Sequence, residues 1–422
     1  MAKRSWQVKL ACVWGGELIS VLTSSILQMG FIWHITLSTN SASMLSLASL
    51  AGFLPLAAFG TFAGVIVDHM PIKRVLIGAD LFIAAVSALV AAVSATGALP
   101  VWVVIVALFF RAIGSAFHAP AFQTLTPLVA PPEHLTRLAG VSQAVQSGGY
   151  IMGTAIAAVI YPLWGLTAMI ALDVLGALLA TVAVMVARLD VGGAQAAGEA
   201  KAAGPVGISS RVRALLRETA AGYRVLRAYR GLFALLWCGF VFTLVFSPIS
   251  ALFPLMTIDH FGGTTTDAAT AEIVFSVGMI AGSALLASTG GFKNRALTVV
   301  AATALYGAAT LVAGLLGPNG YVTFLAMSFL MGVSSPFYSG PQTALMQEKV
   351  PPEYLGRVFG LYGAIMSWAL PIGLAVSSLF ADGVGATLWF AGAGAAMLLL
   401  ALATWAIPSI RTIETDSERA AD

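Results

Sequence analysis

Long apolar stretches separated by short polar turns run along almost the whole chain. A helix needs about twenty consecutive apolar residues to cross the hydrocarbon core of a bilayer. On that scale the sequence predicts twelve membrane-spanning helices, near residues 10–34, 42–67, 75–96, 101–125, 138–161, 165–187, 231–258, 268–290, 296–316, 321–346, 357–381 and 386–407. The first stretch is longer than the apolar part of a cleaved signal peptide, so we expect it to remain as a helix.

The composition indicates that lipid, rather than water, surrounds most of this chain. Hydrophobic residues make up 59% of the 422 residues and charged residues only 9%, whereas soluble proteins carry roughly 25% charged residues. Cys12 and Cys238 both lie in apolar stretches, so we expect neither a disulfide framework nor a metal site. The net charge of +3 is spread over short loops, which argues against a nucleic-acid partner.

The Lys and Arg residues of the loops predict the orientation in the membrane. If the N-terminus is cytoplasmic, the loops on the outer side contain no Lys or Arg. Basic residues are retained on the cytoplasmic side of membrane proteins. We therefore expect a multi-pass plasma-membrane protein with both termini in the cytoplasm. Of the 21 basic residues, only Arg111 lies in the middle of a span.

The spans fall into two groups of six with a polar segment between them. We predict an N-terminal six-helix half over 1–189, a cytoplasmic linker over 190–230, a C-terminal six-helix half over 231–407 and a cytoplasmic tail over 408–422. The first part of the linker is rich in small residues and is typical of a disordered segment. Its second part has apolar residues and Arg at helical spacing, which predicts an amphipathic helix at the membrane surface.

An internal repeat relates the two groups of spans. The segment 111–137 is echoed by 330–357. The matching positions are Gly114 and Gly332, Gln123 and Gln342, the Pro-Pro-Glu triplets at 131–133 and 351–353, and Arg137 and Arg357. Two related six-helix halves in parallel are typical of one class of transporter. The predicted fold class is therefore an all-α membrane protein with twelve transmembrane helices in two pseudo-symmetric halves.

The loop after the second predicted span carries a signature of a known family. Residues 64–74 read GVIVDHMPIKR and resemble the major facilitator superfamily loop G-x-x-x-D-R-x-G-R-K/R. Gly64, Asp68 and Lys73 match this pattern, whereas positions 69, 71 and 72 depart from it. The resemblance implies the major facilitator fold and a cytoplasmic gate in which Asp68 acts as a latch. We expect Gly64, Lys73 and Asp80 to belong to the same gate.

Other segments resemble bacterial macrolide-efflux proteins of the drug:proton antiporter branch. They cover most of the chain apart from the linker and the tail, and PFYSGPQTALMQEKVPPEYLGRVFG is the most specific of them. The resemblance implies proton-coupled efflux of amphipathic drugs, macrolide antibiotics first, by alternating access. The proton gradient would supply the energy, without a cofactor. The antiporter signature G-P-x-x-G is matched only by Gly149 and Gly153, because its proline is absent.

Three other functions stay open at this point. The first is export of an endogenous amphiphile such as a siderophore, a bile acid or a lipid. A nutrient symporter is disfavoured because the spans contain few polar groups, and a non-transporting sensor is the third alternative. The sequence has no ATP-binding P-loop and no common hydrolase motif, so we expect neither an enzyme nor an ATP-driven pump. We expect a monomer whose partners are a small amphipathic substrate and membrane lipids.

Ionisable residues within spans are the candidates for proton coupling. A charge at the centre of a bilayer costs at least about 2–3 kcal/mol, so each needs a partner, a cavity or a function. The candidates are Glu17, Arg111 and Asp173, and Glu17 is the expected proton-exchanging acid because no basic residue is near it in sequence. For Arg111 and Asp173 two interpretations stay open. They form either a permanent ion pair or a pair that separates during transport so that the acid can take up a proton.

Two further groups of residues are predicted from their type and spacing. Glycines four residues apart permit close helix contacts, and the family resemblance implies that these contacts join helices across the two halves. The glycines are Gly60, Gly64, Gly149, Gly153, Gly278, Gly282, Gly356 and Gly360. Aromatic, Met and amide side chains suit an amphipathic substrate with a cationic amine. These candidates are Gln28, Met29, Trp33, His118, Gln123, Tyr338, Gln342, Met366 and Trp368.

Overall fold

The computed structural model describes residues 2–67, 70–131, 134–187, 220, 222–289 and 294–413, and these ranges contain helices but no strand. The helices are α1 Ala2–Thr39, α2 Ala42–Val67, α3 Ile72–Ala95, α4 Val101–Val129, α5 Leu135–Val186, α6 Arg230–Leu255, α7 Thr265–Thr289, α8 Arg295–Leu315, α9 Tyr321–Lys349, α10 Pro352–Val384, α11 Ala386–Ala406 and α12 Pro408–Arg411. A π-helical turn, Met256–His260, extends α6. Within the described ranges, eleven helices are long and apolar enough to cross a membrane.

The helix α5 contains two of the predicted spans. Its 52 residues would extend for about 78 Å at 1.5 Å per residue, against a hydrocarbon core of about 30 Å. Gly165 interrupts the helix with φ of 69° and ψ of −174°. Glycine adopts this backbone conformation readily because it has no Cβ. The fifth and sixth predicted spans are therefore the two arms of α5, before and after Gly165.

Contacts with α1 show that the two arms run in opposite directions. The contacting pairs are Gly149 with Val21, Gly153 with Ser25, Gly176 with Thr23, and Gly30 with Met169. Along α1, the partner residue number rises in the first arm and falls in the second. The chain thus turns back at Gly165, and all twelve predicted spans are present.

The chain divides into two compact units. Unit 1 consists of Met1–Thr39 and Ala48–Arg211, and unit 2 consists of Asn40–Leu47 and Val212–Asp422. The boundary after Arg211 falls within the predicted linker 190–230, most of which lies outside the described residues. The described part of this linker includes the helical segment 222–228, in which Leu226 is buried and Arg224 and Arg227 are exposed.

The first turn of α2 belongs to unit 2 through polar contacts with α10. One Asp382 carboxylate oxygen accepts a hydrogen bond from Ser41 Oγ at 2.7 Å, and the other accepts one from the Ser43 backbone N–H at 3.0 Å. The hydroxyl groups of Ser46 and Ser377 are 2.6 Å apart. A carboxylate at this position satisfies N–H groups that have no partner within the helix and interacts favourably with its dipole.

The paired glycines of α5 and α7 make close contacts, but within their own units. A Cβ on Gly153 would lie 2.7 Å from the Leu22 carbonyl oxygen of α1. A Cβ on Gly278 would lie 2.3 Å from the Phe329 carbonyl oxygen of α9, and one on Gly282 would meet Val333 of the same helix. The spacing thus indicates close contacts within each unit, and the prediction that these glycines join the two halves stays a prediction.

The glycines of α2 and α10 have more space around them. A Cβ on Gly60, Gly356 or Gly360 would meet no atom of the described residues within 4 Å. The side-chain surroundings of Gly64 lie outside the described part of the structure. Gly60, Gly356 and Gly360 therefore make no close contact with the described residues that would require glycine.

Candidate functional site

Unit 1 holds two polar layers in its apolar interior. Three helices contribute a pair of polar residues seven positions apart: Glu17 and Ser24 in α1, Asp80 and Ser87 in α3, and Arg111 and His118 in α4. Seven residues are two helical turns, so both members of a pair lie on the same helix face, about 10 Å apart. Ser24, Ser87, Arg111 and Asp173 form what we call the ion-pair layer. Glu17, Asp80, His118 and Gln146 form the cavity layer.

In the ion-pair layer every oxygen of Asp173 has hydrogen-bond donors. The two terminal guanidinium nitrogens of Arg111, Nη1 and Nη2, donate to the carboxylate, Nη2 at 3.1 Å. Ser24 Oγ donates to one oxygen at 3.0 Å and Ser87 Oγ to the other at 2.7 Å. Arg111 also donates to both serine hydroxyls. This closed set of bonds satisfies both charges in this conformation, and both interpretations of the pair stay open.

The cavity layer brings two buried carboxylates to one imidazole. His118 Nε2 lies 3.4 Å from Asp80 Oδ1 and 3.6 Å from Glu17 Oε2. Both distances allow a strong electrostatic interaction but exceed the usual length of a hydrogen bond. Gln146 Nε2 donates to the other oxygen of Glu17 at 2.7 Å. The side chains of Glu17 and Asp80 are 7% and 3% exposed, so their charges are largely removed from water.

The cavity layer lines a cavity of about 710 Å³ in unit 1. This volume is within the range of roughly 300–1,000 Å³ that is common for small-molecule sites. Besides the four residues of the layer, the lining includes Ser20, Ser24, Ser115, Phe122, Gln123 and Thr126. The wall thus combines hydroxyl and amide groups with an apolar surface, and it carries two acids. Such a cavity suits an amphipathic molecule that bears a positive charge.

The structure places Asp80 in the wall of the cavity, and its predicted role in the cytoplasmic gate stays a prediction. The helix α3 begins at Ile72, three residues before the predicted start. Asp80 is therefore eight residues inside the helix, about 12 Å along its axis. Among the other predicted gate residues, Lys73 is partly buried in the first turn of α3. Asp68 lies outside the described residues, so its predicted latch role stays a prediction.

The predicted substrate-binding residues of unit 1 divide into two groups. His118 and Gln123 line the cavity. Met29 and Trp33 do not, because they are 3% and 1% exposed in the packed interior. The Trp33 ring makes an edge contact with Tyr161 at 5.5 Å between centroids. Met29 and Trp33 are thus packing residues here, and Gln28 is partly buried but is not among the cavity-lining residues.

In unit 2, three of the four predicted substrate-binding residues lie together beside α6. The Tyr338 ring stacks on Phe242 with centroids 4.2 Å apart. Gln342 Nε2 donates to the Leu235 carbonyl at 3.1 Å and its Oε1 accepts from Tyr362 at 2.9 Å. Gly239 leaves room for this group, since a Cβ there would meet Tyr338, Gln342 and Met366. Trp368 is 44% exposed and is separate from them.

Sequence reasoning missed Ser24, Ser87 and Gln146. A lone Ser in an apolar helix usually bonds to its own backbone, so Ser24 and Ser87 gave no signal as individual residues. The seven-residue spacing from Glu17 and from Asp80 is the signal that identifies them. Gln146 has no such partner in its own helix, and its role follows only from the fold. Across the described residues, no cluster of His, Cys, Asp and Glu has the arrangement of a metal site.

Comparison with protein families gives a match that covers nearly all of the sequence. The sequence profile described as Major Facilitator Superfamily matches residues 13–295 and 235–421. Macrolide efflux protein A of Streptococcus pyogenes is 44% identical over 414 residues, which are 97% of this chain and 98% of the relative. Macrolide efflux protein A of Enterococcus faecalis is 46% identical over 338 residues, 79% of this chain and 99% of the relative.

More distant relatives share the same length and fold. The multidrug efflux pump Tap of Mycolicibacterium fortuitum is 27% identical over 406 residues, 94% of each chain. Among solved structures, a peptide transporter POT superposes with a TM-score of 0.70 over 96% of this chain and 95% of its own, at 14% identity. A POT family transporter bound to a peptide conjugate gives a TM-score of 0.68 at 11% identity, covering 98% and 96%. At these identities the structural likeness concerns the fold alone.

Proposed function

The chain belongs to the Major Facilitator Superfamily, and on that premise we propose that it exports macrolide antibiotics from a bacterial cell in exchange for protons. Members of this family are membrane transporters, so the chain is a multi-pass transporter and not an enzyme. The proposal of a macrolide substrate rests on the 44% identity to macrolide efflux protein A over 98% of that relative. The similarity to Tap, a multidrug efflux pump, supports a pocket that accepts several amphipathic drugs.

The proposed energy source is the proton gradient, with Glu17 as the exchanging acid. Its carboxylate lines the cavity and is bonded to the neutral amide of Gln146 at 2.7 Å. Asp173, in contrast, is bonded to the permanent cation of Arg111. An acid without a fixed counter-ion can gain and lose a proton as its surroundings change. Glu17 is buried and lines the cavity. Its position therefore supports the role of exchanging acid better than the position of Asp173 does.

We further propose the membrane location, the oligomeric state and the transport cycle of the protein. The absence of Lys and Arg from the predicted outer loops supports a plasma-membrane protein with both termini in the cytoplasm. We propose a monomer, because one chain contains both repeated halves and no second copy is needed to complete the fold. Alternating access between the two sides would carry the drug outward while protons move inward.

Drug accumulation in cells with and without the chain tests the proposed function. Cells producing the protein should accumulate less of a labelled macrolide, and a protonophore should restore the control level. Equal accumulation across a macrolide panel would exclude the proposed substrate. Efflux that is insensitive to the protonophore would exclude the proposed energy source.

The variant Glu17→Gln tests the assignment of the exchanging acid. It keeps the shape of the side chain and removes its charge, so efflux should lose its dependence on the pH gradient. The matched control is Glu348→Gln, which removes a carboxylate whose side chain is 48% exposed. This control should keep the gradient dependence of the unmodified protein. If Glu17→Gln kept it too, another group would carry the proton.

A further inference from the structure

One oxygen of Asp80 is the only carboxylate oxygen in the two polar layers of unit 1 that lacks a protein partner within the described part of the chain. Asp80 Oδ1 faces His118 at 3.4 Å, whereas Oδ2 is buried and has no hydrogen-bond partner among the described residues. Asp80 as a whole is 2% exposed. A buried charge without a partner is costly, so such a group normally has a ligand, an ion or a proton to compensate it.

Asp80 also lines a cavity, so its carboxyl group lies at the edge of a space that a ligand could occupy. Asp80 lines the cavity of about 710 Å³ together with Glu17 and His118. The charged or titratable groups that face it are His118 from α4 and Glu17 from α1. The permanent cation of unit 1's interior, Arg111, is already bonded to Asp173. The cavity layer thus has two acids and only one imidazole, so a bound cation would balance its charge.

We propose that Asp80 is the anchor for a protonated amine on the transported substrate. A rotation of the Asp80 carboxyl group would present Oδ2 to the cavity, where the ammonium N–H would donate to it, while the apolar body of the molecule would contact Phe122 and the rest of the cavity wall. A charge-assisted hydrogen bond of this kind is stronger than a neutral one and selects cations over neutral molecules of the same shape. The substrate class is therefore an amphipathic tertiary amine, and the choice of a macrolide as probe rests on the proposed function.

Binding to the purified full-length protein in lipid nanodiscs tests the anchor without requiring transport. The probes are a macrolide with a protonatable tertiary amine and the same macrolide with that nitrogen converted to a neutral amide. The unmodified protein should bind the amine about 10- to 100-fold more tightly, as expected for one charge-assisted hydrogen bond. Asp80→Asn should bind both probes with similar dissociation constants, and Asp80→Glu should restore part of the preference.

Glu348→Gln is the matched control and should keep the full preference for the amine, because its side chain is exposed at the end of α9. Equal binding of the two probes by the unmodified protein, or binding of neither, would overturn the proposed anchor. A preference that persists in Asp80→Asn would overturn it as well. Failure of efflux in cells with intact amine preference would instead count against the proposed function alone.

A second measurement uses only the unmodified protein, so its result does not depend on whether a variant folds. A carbodiimide that modifies carboxyl groups in apolar surroundings is applied to the unmodified protein, and labelled peptides are identified by mass spectrometry. The amine probe should protect Asp80 from labelling several-fold, and the neutral probe should protect it much less. Equal protection by both probes would show that the substrate covers the cavity without binding to the Asp80 carboxylate.

Discussion

Replacing either member of the Arg111–Asp173 pair should destabilise the protein strongly, and replacing both should cost less than the sum of the two single losses. The two residues are 7% and 1% exposed, and Asp173 accepts hydrogen bonds from Arg111, Ser24 and Ser87. Removing the cation would leave a buried carboxylate with serine donors only. Breaking a buried pair in this way costs about 3–5 kcal/mol. We therefore expect Arg111→Gln and Asp173→Asn each to lower the free energy of unfolding by about that amount.

The double variant Arg111→Gln, Asp173→Asn should lose less stability than the two single variants lose together. Two amides of similar shape carry no net charge, and they can bond to each other and to the two serines. We expect a coupling free energy of about 2–3 kcal/mol, near the upper end for residues in contact. The matched control is the pair Arg295 and Glu348, whose side chains are 40% and 48% exposed. The same substitutions there should give a coupling free energy below about 1 kcal/mol.

Unfolding by denaturing detergent in mixed micelles gives the four free energies for each pair, and the efflux assay gives the function of the double variant. Additive losses at Arg111 and Asp173 would refute the closed network as a source of stability. A stable double variant should keep gradient-dependent efflux if the pair is permanent. Loss of that dependence in a well-folded double variant would show that the pair separates during transport, as the second interpretation from the sequence holds.

A further prediction concerns the helix contacts. Gly153→Val should cost about 1–3 kcal/mol by forcing α5 away from α1, whereas Gly60→Ala has open space and should unfold like the unmodified protein; equal losses would contradict the packing argument.

The sequence was sufficient for the fold because lipid makes the pattern of apolar residues so regular. Each span must hide its backbone polar groups in helical hydrogen bonds, so the length of an apolar stretch predicts a helix directly. The two arms of α5 on either side of Gly165 form one continuous helix by hydrogen bonding, and the sequence still predicts them as two spans. The site was harder to predict, because the sequence does not encode which residues of α1, α3 and α4 line the same cavity. The contact partners of Gly153 and Gly278 depend on how helices are arranged, which spacing does not encode.

The two polar layers differ in their balance of charge, and that difference supports the proposal that exchange takes place at the cavity layer. The ion-pair layer has one permanent cation and one acid, and its hydrogen bonds are complete within the protein. The cavity layer has two acids, Glu17 and Asp80, and a single imidazole. Because a buried excess of negative charge is costly, the layer must hold a proton or another cation whenever the surrounding space is closed to water. A proton and a protonated amine are both cations that can satisfy this requirement. In the proposed mechanism the proton would bind to Glu17 and the amine to Asp80, which both lie within 3.6 Å of His118 Nε2. Competition between them for one small group of acids would couple drug efflux to proton entry without a permanent cation in the cavity layer.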